Sequence, residues 1–213
     1  MLEKIEKILR KNYKYIIMLI CIIILYAIIE DLFNKETIFI DLFIYKLIVL
    51  SMRNDVLTII FKIITNLGGA YCLIIIAILC AIFIKNKKIA FAIPINLILS
   101  TMLNLGLKNI VERPRPIGYR LIDETGYSFP SGHSMVSMAF YGYFIYLIYK
   151  YVKNKYVKWI SIILLSLLIC LIGISRIYLG VHYTSDVLGG FLISISYLII
   201  YISAANKFII EKE

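Results

Sequence analysis

Ser175-Arg176-Ile177-Tyr178-Leu179-Gly180-Val181-His182-Tyr183-Thr184-Ser185-Asp186 lies between two long apolar runs, Trp159 to Ile174 and Val187 to Ala205. It sets a guanidinium, an imidazole and a carboxylate close together beside stretches long enough to enter a bilayer. Charged groups in that setting are costly unless they are paired or used. If the chain is helical from Val181 onward, His182 and Asp186 share a face and can touch. A histidine oriented by a carboxylate, next to a fixed cation, points to chemistry on an anion. A membrane-surface loop with incidental charges is the alternative.

The flanking runs are typical of the whole chain. Of its 213 residues, 62% are hydrophobic and only 17% are charged, against roughly 25% charged in a soluble domain. The expected fold class is all-α, an integral membrane six-helix bundle forming one domain over residues 1–213. Spans are expected at about 15–29, 63–84, 89–107, 131–149, 159–174 and 187–205. Met1 to Lys14 reads as a surface helix. Tyr15 to Ile29 covers only about 22 Å, so its ends must snorkel or the bilayer must thin. Tyr26-Ala27-Ile28-Ile29-Glu30 lacks a small-residue cleavage site, so the first run is expected to stay as an anchor.

Ile38 to Met52 is apolar but carries Asp41 and Lys46. It reads as an additional interfacial helix between the first and second spans, with a re-entrant or spanning segment as the alternative. Asn66-Leu67-Gly68-Gly69 is expected to bend the second span or allow close helix contact, and Pro94 and Asn104 interrupt the third. Cys21, Cys72, Cys80 and Cys170 all fall inside apolar runs and read as buried thiols acting as small hydrophobes. Heavy use of Ile, Lys, Asn and Tyr hints at a bacterial source.

The formal charge of +10 could suggest a nucleic-acid partner, but its distribution argues for topology instead. With six spans and a cytoplasmic N-terminus, the inner segments hold 14 of the 23 basic residues and the outer ones 9. The richer side is the cytoplasm. The expected location is therefore the plasma membrane, with both termini cytoplasmic and no nucleic acid bound. The same count puts the connection from Lys108 to Pro130 and the stretch from Ser175 to Asp186 on the extracytoplasmic side.

Three polar clusters can meet there. The first is Lys108-Asn109-Ile110-Val111-Glu112-Arg113-Pro114-Arg115-Pro116, whose prolines stop a helix and hold guanidinium groups on a rigid turn. The second is Pro130-Ser131-Gly132-His133-Ser134, a helix start whose backbone N–H groups and dipole favour an anion. The third is Ser175 to Asp186. Each histidine of the chain lies in one of these clusters.

Taken together, the spacing Lys-x6-Arg-Pro (Lys108, Arg115, Pro116), Pro-Ser-Gly-His (Pro130 to His133) and Ser-Arg-x5-His-x3-Asp (Ser175, Arg176, His182, Asp186) resembles the type 2 phosphatidic acid phosphatase family. Arg113-Pro114 is a second arginine–proline pair, but the family spacing selects Arg115. The resemblance implies that His182 attacks phosphorus to give a phosphohistidine and that Asp186 holds its other ring nitrogen. It implies that His133 protonates the leaving lipid oxygen and later activates water. Lys108, Arg115 and Arg176 would bind the non-bridging oxygens, helped by backbone N–H groups at Ser131 and Gly132. Such a site works by positioning and charge. The carboxylates are not clustered as a metal site needs, so no metal or other cofactor is expected.

A phosphate site at the bilayer rim suits an amphiphile whose tails stay in lipid. The implied activity is hydrolysis of a lipid phosphate or diphosphate. Undecaprenyl pyrophosphate, phosphatidylglycerophosphate and phosphatidic acid are the candidates, with the prenyl diphosphate slightly preferred. The partners implied are that lipid and the bilayer; no oligomeric state is indicated. A non-catalytic lipid-phosphate binder or lipid-moving protein is the alternative. An ion transporter would instead carry ionisable groups midway along its spans. Arg120, Asp123 and Glu124 are expected in a solvated loop, with lining the entrance to the site as the alternative.

Overall fold

Inside a bilayer the backbone must satisfy its own hydrogen bonds, and a helix does so within one segment. The computed structural model describes residues 2–34 and 38–210, with side chains from residue 12 onward. Among the described residues there are eight α-helices and no strand: α1 (Leu2–Phe33), α2 (Phe39–Tyr45), α3 (Asp55–Leu67), α4 (Ala70–Phe83), α5 (Lys87–Val111), α6 (Gly132–Tyr151), α7 (Lys155–Tyr178) and α8 (Thr184–Ala205). Short π-helical turns, Lys46–Leu50 and Asn206–Ile210, extend α2 and α8.

By length and composition α1 from Asn12 onward, α5, α7 and α8 can each cross a membrane. α3 and α4 pass the same test as a pair bent by 44°, and the break between them is Gly68–Gly69, where a bend or close contact was expected. α6, the remaining expected span, does not pass that test. Its 20 residues rise about 30 Å, yet it is rich in Ser, Gly and Tyr. The reason is its position: α6 packs against α5, α7 and α8, and Met135, Ala139, Phe140 and Tyr143 are fully buried. A helix shielded from lipid does not need an apolar exterior.

Several expected boundaries move. From Leu2 to Lys14 the chain is helical, as expected, and it continues without a break, so that α1 runs to Phe33. The second crossing starts at Asp55, eight residues before the expected position. Asn54 caps it, accepting the Leu57 N–H at 2.9 Å, and exposed Lys62 lies within the helix because a long side chain can snorkel. α7 also gains four residues at each end. Asn154 caps its start at 3.1 Å, and Arg176 is turned inward near its end with 1% exposure. The 12 residues from Phe39 to Leu50 reach about 18 Å, too short to cross, so the spanning alternative for this stretch falls. Cys21 is buried, but Cys170 is exposed on α7.

The outside of the bundle carries large apolar side chains, among them Leu19, Ile23, Ile63, Ile78, Ile98, Leu164 and Ile200. The inside carries polar groups with partners. Asn96 Nδ2 donates to the Ala139 carbonyl at 2.8 Å, Ser194 Oγ to Met135 at 2.6 Å, and Tyr141 Oη to Leu67 at 2.7 Å. The up-and-down run from α5 to α8 gathers the C-terminal ends of α5 and α7 with the N-terminal ends of α6 and α8. The three polar clusters sit on those four ends.

Candidate active site

α7 stops at Tyr178 and the chain reverses through Gly180, whose φ is +76° and where a Cβ would collide with the Tyr119 carbonyl. α8 then opens with a capping box: Tyr183 is the N-cap, and Asp186 at the third position accepts the Tyr183 N–H at 2.8 Å. His182 therefore stands outside the helix. Its contact with Asp186 comes from this cap and not from a shared helical face, as the spacing alone had suggested. His182 Nδ1 lies 3.4 Å from Asp186 Oδ2 and 3.3 Å from Ser128 Oγ.

Asp186 is fully buried and well satisfied. Besides Tyr183 N–H and the imidazole, it accepts Ser128 Oγ–H at 2.5 Å and Arg113 Nη1–H at 2.5 Å. The other face of His182 meets Arg115, whose Nη1 is 3.0 Å from Nε2. A guanidinium only donates, so Nε2 is the acceptor and Nδ1 carries the proton, on the Asp186 side. Burial pushes the His182 imidazole down to about 4, outweighing the hydrogen bond and charge of Asp186. At neutral pH His182 is an uncharged base whose lone pair is on Nε2.

Lys108 and Arg115 line a cavity of about 400 Å³ with Glu124, Gly132, His133 and His182, among others; Arg176 lies buried behind that lining, paired with Glu124. Arg115 is held by three backbone carbonyls, Gly126, Thr125 and Val181, each at 3.0 Å. Lys108 Nζ donates to Tyr127 at 2.5 Å and reaches Ser128 at 3.4 Å. Arg176 donates Nη1–H to Thr65 Oγ1 at 2.7 Å. The His133 ring rests against the helix break, where a Cβ on Gly69 would come within 3.7 Å of its Nε2. α5 and α6 meet closely at Gly132, where a Cβ would lie 3.1 Å from Asn104 Oδ1. Asn104 also donates to the Pro130 carbonyl at 3.3 Å, which pins the Pro-Ser-Gly-His turn to α5.

A sequence profile described as the PAP2 superfamily matches residues 89–210, more than half of the chain and all three clusters. The chain belongs to that superfamily. Among its PAP2 relatives is the phosphatidylglycerophosphatase B of Bacillus subtilis (strain 168), 36% identical over 134 residues, 60% of this chain and 65% of that protein. The chain thus spans just under two thirds of that relative's length. An undecaprenyl-diphosphatase of Sulfolobus acidocaldarius is 26% identical over 207 residues, 92% of this chain and 94% of that protein. Among solved structures, a transmembrane PAP2 type phosphatidylglycerolphosphate phosphatase from Bacillus subtilis superposes with a TM-score of 0.78 at 28% identity. That likeness covers 92% of this chain and 98% of the other. Aquifex aeolicus LpxE gives 0.61 at 29% identity, covering 76% and 94%.

Within this PAP2 chain, one expected anion donor is committed elsewhere. The Ser131 N–H donates to the Asp186 carbonyl at 3.1 Å, and its hydroxyl caps α6 by accepting the Ser134 N–H at 3.4 Å. Ser131 is a structural cap, and Gly132 alone of the pair lines the cavity.

Three residues have roles the sequence reading did not assign. Arg113, set aside in favour of Arg115, bridges Asp186 and Asp41, with Nη2 2.8 Å from Asp41 Oδ2, and stacks over the Tyr183 ring at 4.0 Å. Asp41 accepts the Ser185 N–H at 2.7 Å and its hydroxyl at 2.6 Å, so α2 is tied to the start of α8. The third is Glu124, which lines the cavity, the alternative to the solvated loop expected for it. It is half-buried and pairs with Arg176 and, at 3.8 Å, with Arg115. Burial would raise its carboxyl, but the charge and hydrogen bond of Arg176 outweigh this and hold it below the usual carboxylate range. Arg120 and Asp123 remain exposed as expected; Arg120 Nε caps its own loop at the Pro116 carbonyl.

Proposed function

We propose that this chain hydrolyses the phosphate of a membrane lipid, with His182 as nucleophile. The observation that carries the reading is the uncharged imidazole whose Nε2 lone pair meets Arg115 at the edge of a cationic cavity. Nε2 forms a bond to phosphorus as the bond from phosphorus to the lipid oxygen breaks, and His133 gives that oxygen a proton. The phosphate's own charge favours the protonated form of His133 as it arrives. Water then attacks the phosphohistidine, His133 takes the water's proton, the N–P bond breaks and inorganic phosphate leaves. Asp186 keeps the Nδ1 proton throughout and stabilises the imidazole as it gains positive character. Lys108, Arg115, Arg176 and the Gly132 N–H meet the phosphoryl oxygens, so the residues of the chain supply the charge the reaction needs.

Among substrates, the likeness to a phosphatidylglycerophosphatase over 134 residues supports phosphatidylglycerophosphate ahead of the prenyl diphosphate that the sequence alone preferred. The test is release of inorganic phosphate by purified protein in detergent micelles containing EDTA. Phosphatidylglycerophosphate, undecaprenyl diphosphate and phosphatidic acid would be compared at equal surface concentration. We expect turnover of at least one, highest for the first. Release from none of them would overturn the assignment in favour of a non-catalytic lipid-phosphate binder.

We also propose that the cavity opens on the extracytoplasmic face, supported by the excess of basic residues on the opposite side. A membrane-impermeant thiol reagent should label Tyr119→Cys from outside intact cells, in a variant lacking the four native cysteines. Labelling only after the cells are opened would reverse the orientation.

A further inference from the structure

Arg176 is the most deeply buried cation of the site, 1% exposed, and it is bonded unevenly. Nη1 is used by Thr65 and Nη2 by Glu124 Oε1, while Nε is buried without a hydrogen-bond partner. Nε and Nη2 form the side edge of a guanidinium, the fork that grips an oxyanion through two parallel hydrogen bonds. Glu124 holds half of that edge and leaves the other half unmatched. Its second carboxylate oxygen lies 3.8 Å from Arg115 Nη2. One carboxylate therefore spans the two guanidinium groups that, on the hydrolase reading above, grip the phosphoryl group.

We infer that Glu124 is an internal competitor for the phosphoryl site, yielding Arg176 to the substrate and retaking it as inorganic phosphate leaves. This deepens the proposed hydrolase function and rests on it. A carboxylate imitates two oxygens of a phosphate and carries the same sign of charge, so the two cannot share the Nε–Nη2 edge without repulsion. Glu124 is placed to give way. It belongs to the irregular connection between α5 and α6, lines the cavity, and its side chain is 26% exposed. Such a device limits product retention: three cations that stabilise a transition state would otherwise also hold the phosphate product.

The test is a calorimetric titration of inorganic phosphate into purified full-length protein in micelles. Wild type would be compared with Glu124→Gln, which keeps the shape and removes the charge, and with Glu124→Ala. Both variants should bind phosphate more tightly, with Glu124→Gln tighter by on the order of tenfold, as expected for removing one like charge at this range. The gain should vanish in Glu124→Gln/Arg176→Lys, because lysine lacks the fork. Without phosphate both single variants should unfold at a lower temperature than wild type, and millimolar phosphate should restore more of that loss than it adds to wild type. Phosphate binding that is equal or weaker in both single variants would overturn the inference and leave Glu124 as a loop anchor. So would a loss of thermal stability that phosphate does not repair. The titration involves no turnover, so tighter binding without lipid hydrolysis would refute the hydrolase reading and leave the role of Glu124 standing.

Discussion

Arg115 Nη1 sits 3.0 Å from His182 Nε2, so the residue that would grip the phosphate also decides which imidazole nitrogen is the base. Three backbone carbonyls hold the arginine in place, and its Nη1–H releases the Nε2 lone pair when Nε2 attacks phosphorus. Ser128 and Asp186 face the other ring nitrogen. The tautomer is thus set from both sides before any lipid arrives.

A titration follows from this arrangement. Burial lowers the folded His182 value to about 4, below its ordinary 6.5. The unfolded chain therefore takes up this proton first as pH falls. The stability contributed by this group is fully present above about pH 6.5 and is lost as pH falls towards 4. The chain has two histidines, so His133→Asn leaves a single imidazole for 15N NMR. We expect a neutral ring protonated on Nδ1 at pH 5.5; a charged ring at that pH would contradict it.

Asp186→Asn tests the orienting role. The amide can present a donor to Nδ1 and favour the wrong tautomer, so kcat should fall on the order of 10³-fold or more, as when the equivalent carboxylate of a hydrolase triad is replaced. Inorganic phosphate affinity should change only a few-fold, because Asp186 does not line the cavity. Equal losses in kcat and in phosphate affinity would make Asp186 a general support of the fold.

The Asp41–Arg113–Asp186 chain predicts a stability coupling. Removing Arg113 leaves two buried carboxylates without their cation, and breaking a buried pair from one side costs about 3–5 kcal/mol. Arg113→Met should therefore lower the unfolding temperature sharply. Asp41→Asn should cost less in the Arg113→Met background than alone, with a coupling above about 1 kcal/mol in the double-mutant cycle. Strict additivity would mean that α2 and α8 are held together by other contacts.

The three polar clusters of the candidate site were legible in the sequence because the proposed chemistry needs particular residue types at fixed spacing: Lys108 and Arg115, His133 after Pro130, and His182 with Asp186. The bundle was legible from uncharged runs. What escaped depends on distance in the chain. Asp41 meets Ser185 across 144 residues and Glu124 meets Arg176 across 52, and no local pattern announces either pairing. Arg113 was passed over because a spacing rule can select only one arginine, although both Arg113 and Arg115 are held close to the His182–Asp186 pair. The early start of α3 did have a signal: Asn54-Asp55, a capping residue followed by an acid in the first turn. It was hidden by reading Lys62 as a boundary.

The most direct test of the central claim is to look for phosphate on His182 itself. Purified protein would be mixed with 32P-labelled phosphatidylglycerophosphate, quenched in alkali, and its peptides examined by mass spectrometry. The account predicts a transient, acid-labile phosphoryl group on the peptide containing His182, absent from His182→Ala, which should also release no phosphate. Hydrolysis that persists in His182→Ala, or wild-type label on His133 instead, would contradict it.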